Sequence, residues 1–228
     1  MKWPSVSVPA IILLAGLSTI DARPLEAGAW PRGDGETFAS LTYRSQITES
    51  TDQDYASLYF EYGLDAQLTV GLDVGRNPES GDSSALVFLR FPVFKKAESD
   101  RFAVEIGAGM AHTLSGGSSA TGRLGLSWGR GITFGSRSGW IGADSALVFG
   151  TSAIDTVKLD LTLGASLQKS SLAFLQMQMA QPTDGDFSML IAPTIVYAVT
   201  SALKFEAGIG YQPFTDATSL KIGLWTEF

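Results

Sequence analysis

From Glu36 onward the chain alternates apolar residues with small or polar ones at a period of two. Leu68-Thr-Val-Gly-Leu-Asp-Val-Gly75 puts Leu68, Val70, Leu72 and Val74 on one side and Thr69, Gly71, Asp73 and Gly75 on the other. Phe102 to Met110, Val157 to Ala165 and Leu203 to Tyr211 repeat the design. Each reads as a strand with one apolar face and a second face of glycine, alanine, threonine or charge. Followed along the chain, the pattern predicts strands over about 36–45, 55–64, 67–76, 84–94, 101–111, 121–132, 139–149, 156–166, 171–180, 188–198, 202–211 and 219–228. Tight connectors such as Leu64-Asp-Ala-Gln67 and Thr200-Ser-Ala202 alternate with longer polar ones such as Gln46 to Asp54 and Asn77 to Ser84. The connector around Gly135-Ser-Arg-Ser-Gly139 reads as nearly as long as an outer loop. Two strands fit less well. Ala85 to Phe94 is apolar almost throughout, and Met189 to Val199 contains Pro193, which removes a ladder donor and suggests a bulge or a local break. Ten strands is therefore the alternative to twelve.

The fold class this implies is all-β, a transmembrane antiparallel up-and-down β-barrel. A soluble calyx shares the alternation but turns its apolar faces inward, and about eight strands already make an interior just large enough for side chains to fill. A flattened soluble sandwich escapes that objection. Aromatic placement argues against it: on the apolar face, Tyr62, Phe91, Phe102, Phe205 and Phe228 fall near one end of the strands and Tyr43, Phe149 and Tyr211 near the other. These read as two interfacial girdles, with ordinary strand aromatics as the competing reading.

The second face then lines a lumen. Towards the periplasmic end it carries Glu61, Arg90, Glu105, Lys204, Glu206 and Glu227, and towards the outer mouth Arg44, Arg123, Lys158 and Lys221, with Asp73 and Asp160 on the same face. Opposite charges in a poorly hydrated lumen must pair, whereas in a wet pore they stay apart and set ion selectivity. Inward Tyr59, Trp140 and Trp225 are the candidates to narrow the bore, and inward Gly71, Gly107, Gly125, Gly164, Gly208 and Gly223 leave room for water or a narrow passage.

The two ends carry their own signals. Lys2, the apolar run Val8 to Leu17 and the small residues near Ala22 have the layout of a secretory signal peptide. Cleavage after Ala22 competes with cleavage after Ala27 or Ala29, and an uncleaved anchor helix is the alternative to both. The chain thus divides into a leader, 1–22, a Gly/Pro/Ala-rich periplasmic tail, 23–35, and a barrel, 36–228. At the other end, Ser219-Leu-Lys-Ile-Gly-Leu-Trp-Thr-Glu-Phe228 alternates up to a terminal aromatic, with Leu220, Ile222, Leu224 and Phe228 on one face. This segment resembles the last strand of bacterial outer-membrane barrel proteins of porin-like or transporter-like type, with Thr226 as a mild departure. The resemblance implies a bacterial outer-membrane location, a lipid environment and recognition by the barrel-insertion machinery. Ala29 to Glu36 also looks like the mature start of uncharacterised proteobacterial barrels.

Composition narrows the chemistry. A net charge of -7 without clustered Lys and Arg excludes a nucleic-acid partner, and the absence of cysteine removes disulfides, thiolate metal sites and Cys nucleophiles. With one histidine, and with Glu49-Ser-Thr-Asp52 and Asp184-Gly-Asp186 lacking the spacing of a dedicated calcium loop, no metal or cofactor is expected. That histidine, His112, lies near Thr113, Ser115 and Ser118 at the outer end of a strand, and so raises a surface lipid hydrolase. No motif supplies the base and orienting partner a serine nucleophile needs, so a non-enzyme is expected. Two functions remain: a small passive channel or uptake barrel for modest solutes, or a closed structural or interaction barrel. A lumen plugged by the tail, or tightly ion-paired, favours the second.

Overall fold

The computed structural model describes residues 28–48, 54–93, 100–114, 116–150 and 154–228, so the leader and the tail before Gly28 lie outside the described residues. Among the described residues are twelve strands: β1 (Thr37–Gln46), β2 (Tyr55–Asp65), β3 (Leu68–Arg76), β4 (Ser83–Pro92), β5 (Asp100–Thr113), β6 (Gly117–Phe134), β7 (Arg137–Phe149), β8 (Ile154–Gln168), β9 (Ser171–Pro182), β10 (Ser188–Ala198), β11 (Leu203–Gln212) and β12 (Ala217–Glu227). Each pairs antiparallel with its chain neighbours, and β1 pairs with β12 to close the barrel. At the seam the Thr37 amide donates to the Phe228 carbonyl at 2.7 Å. Closure matters physically because it leaves no sheet edge with orphaned backbone groups, the condition for crossing a bilayer with strands.

The strand count is twelve because Pro193 does not break the register. β10 stays paired with β9 through Pro193↔Leu175, while the ladder to β11 passes from Ile191↔Tyr211 to Thr194↔Gly208 with no shift. The missing donor therefore leaves a gap on one side only, not a bulge. A second departure is the connector at 135–139. β6 and β7 pair as far as Phe134↔Arg137, and Gly135 takes φ 62° to make a two-residue turn. It is a tight hairpin, so the sequence reading of a long connector there is corrected.

Outward positions form a continuous apolar belt that includes Leu41, Val87, Ile106, Leu126, Ile195 and Ile222, each more than half exposed. Soluble monomers do not leave a patch of this extent open to water, and the surface is that of a barrel seated in a bilayer. The expected girdle residues all lie on this face: Tyr43, Phe149 and Tyr211 at the outer ends of β1, β7 and β11, and Tyr62, Phe91, Phe102, Phe205 and Phe228 towards the end that holds Thr37 and Phe228. At the foot of the first outer loop, Asp54 accepts hydrogen bonds from the Tyr43 hydroxyl and, at 3.0 Å, from the Gln46 amide. Those two donors hold its carboxyl below the ordinary range, the Tyr43 hydroxyl contributing most.

Candidate functional site

The alternation that turns leucines outward turns charge inward, and the twelve predicted lumen charges all lie on the inward-facing positions of their strands. Most of them are engaged. Arg90, buried on β4, donates to Glu61 on β2, to Glu105 on β5 at 2.8 Å and to the Tyr59 hydroxyl at 2.9 Å. Arg123 on β6 extends the chain, reaching Glu105 at 2.6 Å and Asp73 at 2.7 Å. A second cluster sits on β11 and β12, where Lys204 pairs with Glu227 at 2.6 Å, Lys221 pairs with Glu206, and the Trp225 indole donates to Glu206 at 2.9 Å. Arg44, Lys158 and Asp160 stand outside both networks.

The sequence left open whether the lumen is a paired network or a wet passage, and in its inner half it is filled. Phe38, Trp140, Leu172, Phe174, Val196 and Trp225 form a buried cluster inside the barrel, with Trp30 and Tyr59 packed against it. Ring contacts run Phe174 to Trp225 at 6.1 Å, Trp225 to Phe38 at 5.9 Å, Phe38 to Tyr59 at 6.3 Å and Tyr59 to Phe88 at 5.7 Å. Inward aliphatic and aromatic residues on β4, β9 and β10 break the rule that the second face is small or polar. Two of the inward glycines serve this layer instead of a passage: a β-carbon at Gly71 would enter the Phe88 ring, and one at Gly164 the Trp140 ring. Tyr59, Trp140 and Trp225 are thus inside the lumen as expected, but as parts of a packed floor.

The tail completes that floor. Residues 28–33 lie within the inner mouth instead of hanging below it. The Arg32 side chain pairs with Glu61 at 2.5 Å and stacks over Phe38 at 4.5 Å, and its amide donates to Thr69 at 3.0 Å. Trp30 occupies the space over Gly129, Ala29 is fully buried, and Gly28 reaches Ser127 and Asp144 near mid-barrel. Nothing in the sequence marked this segment as internal, since Gly, Pro and Ala signal only irregular backbone.

Above the floor is a cavity of about 410 Å³ whose wall includes Arg44, Tyr55, Lys158, Asp160, Lys221 and Asp144. Sequence reading missed Asp144, although the alternation through β7 from Trp140 places it on the inward face. His112 and Ser118 are register partners at the outer end of β5 and β6, with Nδ1 and Oγ 3.1 Å apart on an exposed surface. Ser115 lies outside the described residues. Among the described residues no carboxylate or amide orients the other ring nitrogen, so the dyad lacks the third group that acyl transfer requires.

A barrel of this closure, with an apolar exterior and a charged interior, has the architecture of outer-membrane channels. No protein-family model matches the chain, and no curated protein matches it by sequence. Solved structures do match its fold. A KdgM porin superposes with a TM-score of 0.62 at 12% identity, covering 84% of this chain and 99% of that one. A NanC porin gives 0.57 at 13% identity, covering 83% and 98%, and the COG4313 outer membrane channel from Pseudomonas putida F1 gives 0.55 at 11%, covering 89% and 99%. At these identities the likeness is one of fold.

Proposed function

We propose that this chain is a bacterial outer-membrane channel for small solutes, exported by its leader and inserted through its Phe228-terminated strand, and that the described structure is its closed state. The observation that carries the reading is the charge-lined outer cavity standing directly on a floor made partly of a separable segment, residues 28–33. The fold likeness to porins supports it. The filled inner half favours the second reading, a closed structural barrel. One experiment separates them: planar-bilayer recording of W30A/R32Q, which removes the two side chains that anchor the tail. A channel gated by the tail opens more often or more widely than the parent. A folded variant as silent as the parent in both polarities leaves the structural barrel standing. The hydrolase reading keeps only the His112–Ser118 contact, and serine-directed fluorophosphonate labelling that is abolished by S118A would revive it.

A further inference from the structure

The strand register places like charges face to face at two points of the lumen. On β1 and β12, Arg44 lies directly opposite Lys221; on β7 and β8, Asp144 lies directly opposite Asp160. Like charges in that relation are destabilising, so neither pair is explained by folding. The order of strands around the barrel sets β1 and β12 across the ring from β7 and β8, and all four side chains line the same outer cavity. One wall therefore carries a basic pair with Glu206 beside it, and the facing wall an acidic pair with Lys158 beside it.

Little within the protein neutralises this arrangement. Lys221 is answered by Glu206, but Arg44 has no carboxylate within ion-pair distance among the described residues, and its buried Nε has no hydrogen-bond partner. Arg32, Arg90 and Arg123, the other guanidiniums lining the cavity, are already held by Glu61, Glu105 and Asp73. Opposite, the Asp144 carboxylate accepts from the Ser127 hydroxyl and the Gly28 amide but keeps a buried Oδ1 without a partner among the described residues, where Asp160 makes no ion pair. Lys158, one pleat nearer the outer mouth on β8, lines the same cavity and is without an ion pair among the described residues.

We propose that the outer cavity is a binding site for small zwitterionic solutes of the amino-acid or short-peptide class. The solute's ammonium lies against Asp144 and Asp160, and its carboxylate against Arg44 with Lys221 behind it. A simple anion would satisfy one wall and be repelled by the other, and a neutral sugar would leave both uncompensated. The cavity, about 410 Å³, has the size of a small-molecule site. This assignment rests on the channel reading and names its solute class.

The test is equilibrium binding to the folded full-length barrel in detergent, by calorimetry, with alanylalanine, its N-acetyl derivative and its C-terminal amide. The free dipeptide should bind, and each capped form should bind at least about tenfold more weakly, the loss expected for one charge-assisted contact. D144N/D160N should lower affinity for the dipeptide and abolish its advantage over the N-acetyl form. R44Q should abolish its advantage over the amide, while K169Q, at an exposed turn outside the cavity, stays within about twofold of the parent. The aspartate variant removes a repulsive pair, so loss of fold is not expected. No binding, equal binding of capped and free forms, or a larger loss in K169Q than in R44Q would overturn the proposal. Binding with this pattern in a barrel that never conducts would defeat only the channel reading, and conductance without the pattern would defeat only this one.

Discussion

Arg90 is the point where removing one group should cost the fold most. Its guanidinium is buried, bridges Glu61 and Glu105, takes the Tyr59 hydroxyl and lies 5.0 Å from the centre of the Phe88 ring. Arg90→Met keeps much of the volume and leaves two carboxylates short of a partner. Breaking a buried pair in this way costs about 3–5 kcal/mol. Here Glu61 keeps Arg32 at 2.5 Å and Glu105 keeps Arg123 at 2.6 Å, so the lower end, about 3 kcal/mol, is expected. The physical cause is stranded negative charge and not lost packing, which sets a second expectation. E61Q/R90M, with one carboxylate neutralised as well, should be less destabilised than the sum of the two single variants by about 1 kcal/mol or more. The assay is urea unfolding of the barrel in phospholipid vesicles, followed by tryptophan fluorescence. If R90M stays within about 1 kcal/mol of the parent, or the double variant is strictly additive, the network does not stabilise the lumen as argued.

Other positions give sharper local tests. Gly164→Val drives side-chain atoms into the Trp140 ring and should cost about 1–3 kcal/mol in the same unfolding assay, whereas Gly131→Val, where a β-carbon meets open space, should cost less. Ile222→Arg puts a guanidinium on the lipid face of β12 and should cost about 2–4 kcal/mol; a neutral effect would contradict the membrane-facing assignment. The depressed folded-state pKa of Asp54 means that its tether to Tyr43 and Gln46 is fully present above the unfolded carboxylate value, about 3.9, and is lost as pH falls through the lower folded value. Carboxyl NMR of Tyr43→Phe should show Asp54 titrating at higher pH than in the parent, and an unmoved titration would remove Tyr43 as the cause.

Much of this architecture was legible because strand periodicity is local. A side chain's face depends only on whether its position is odd or even, so one secure anchor such as Leu68 to Gly75 orients its whole strand. That is why parity alone puts the twelve lumen charges on one face and the eight girdle aromatics on the other, and why Asp144 was readable, though overlooked, from the same parity. Where the pattern weakened, the reason was physical. Phe88 on β4, and Leu172 and Phe174 on β9, turn apolar side chains inward because the inner lumen is itself a packed core. Pro193 looked like a break, but it sits on a strand whose other ladder holds the register.

The sequence by itself determined the strands, their faces, the apolar exterior and the charge of the wall, since each follows from neighbours along the chain and from the solvent each face must meet. Only the tertiary structure decided which charges pair, that residues 28–33 fold back into the inner mouth, and that Arg44–Lys221 confronts Asp144–Asp160 across the cavity. Those relations join residues up to a hundred or more positions apart, and no local period encodes them. Barrel closure and register bring them together, so whether the lumen is a passage or a floor became visible only once the ring was shut.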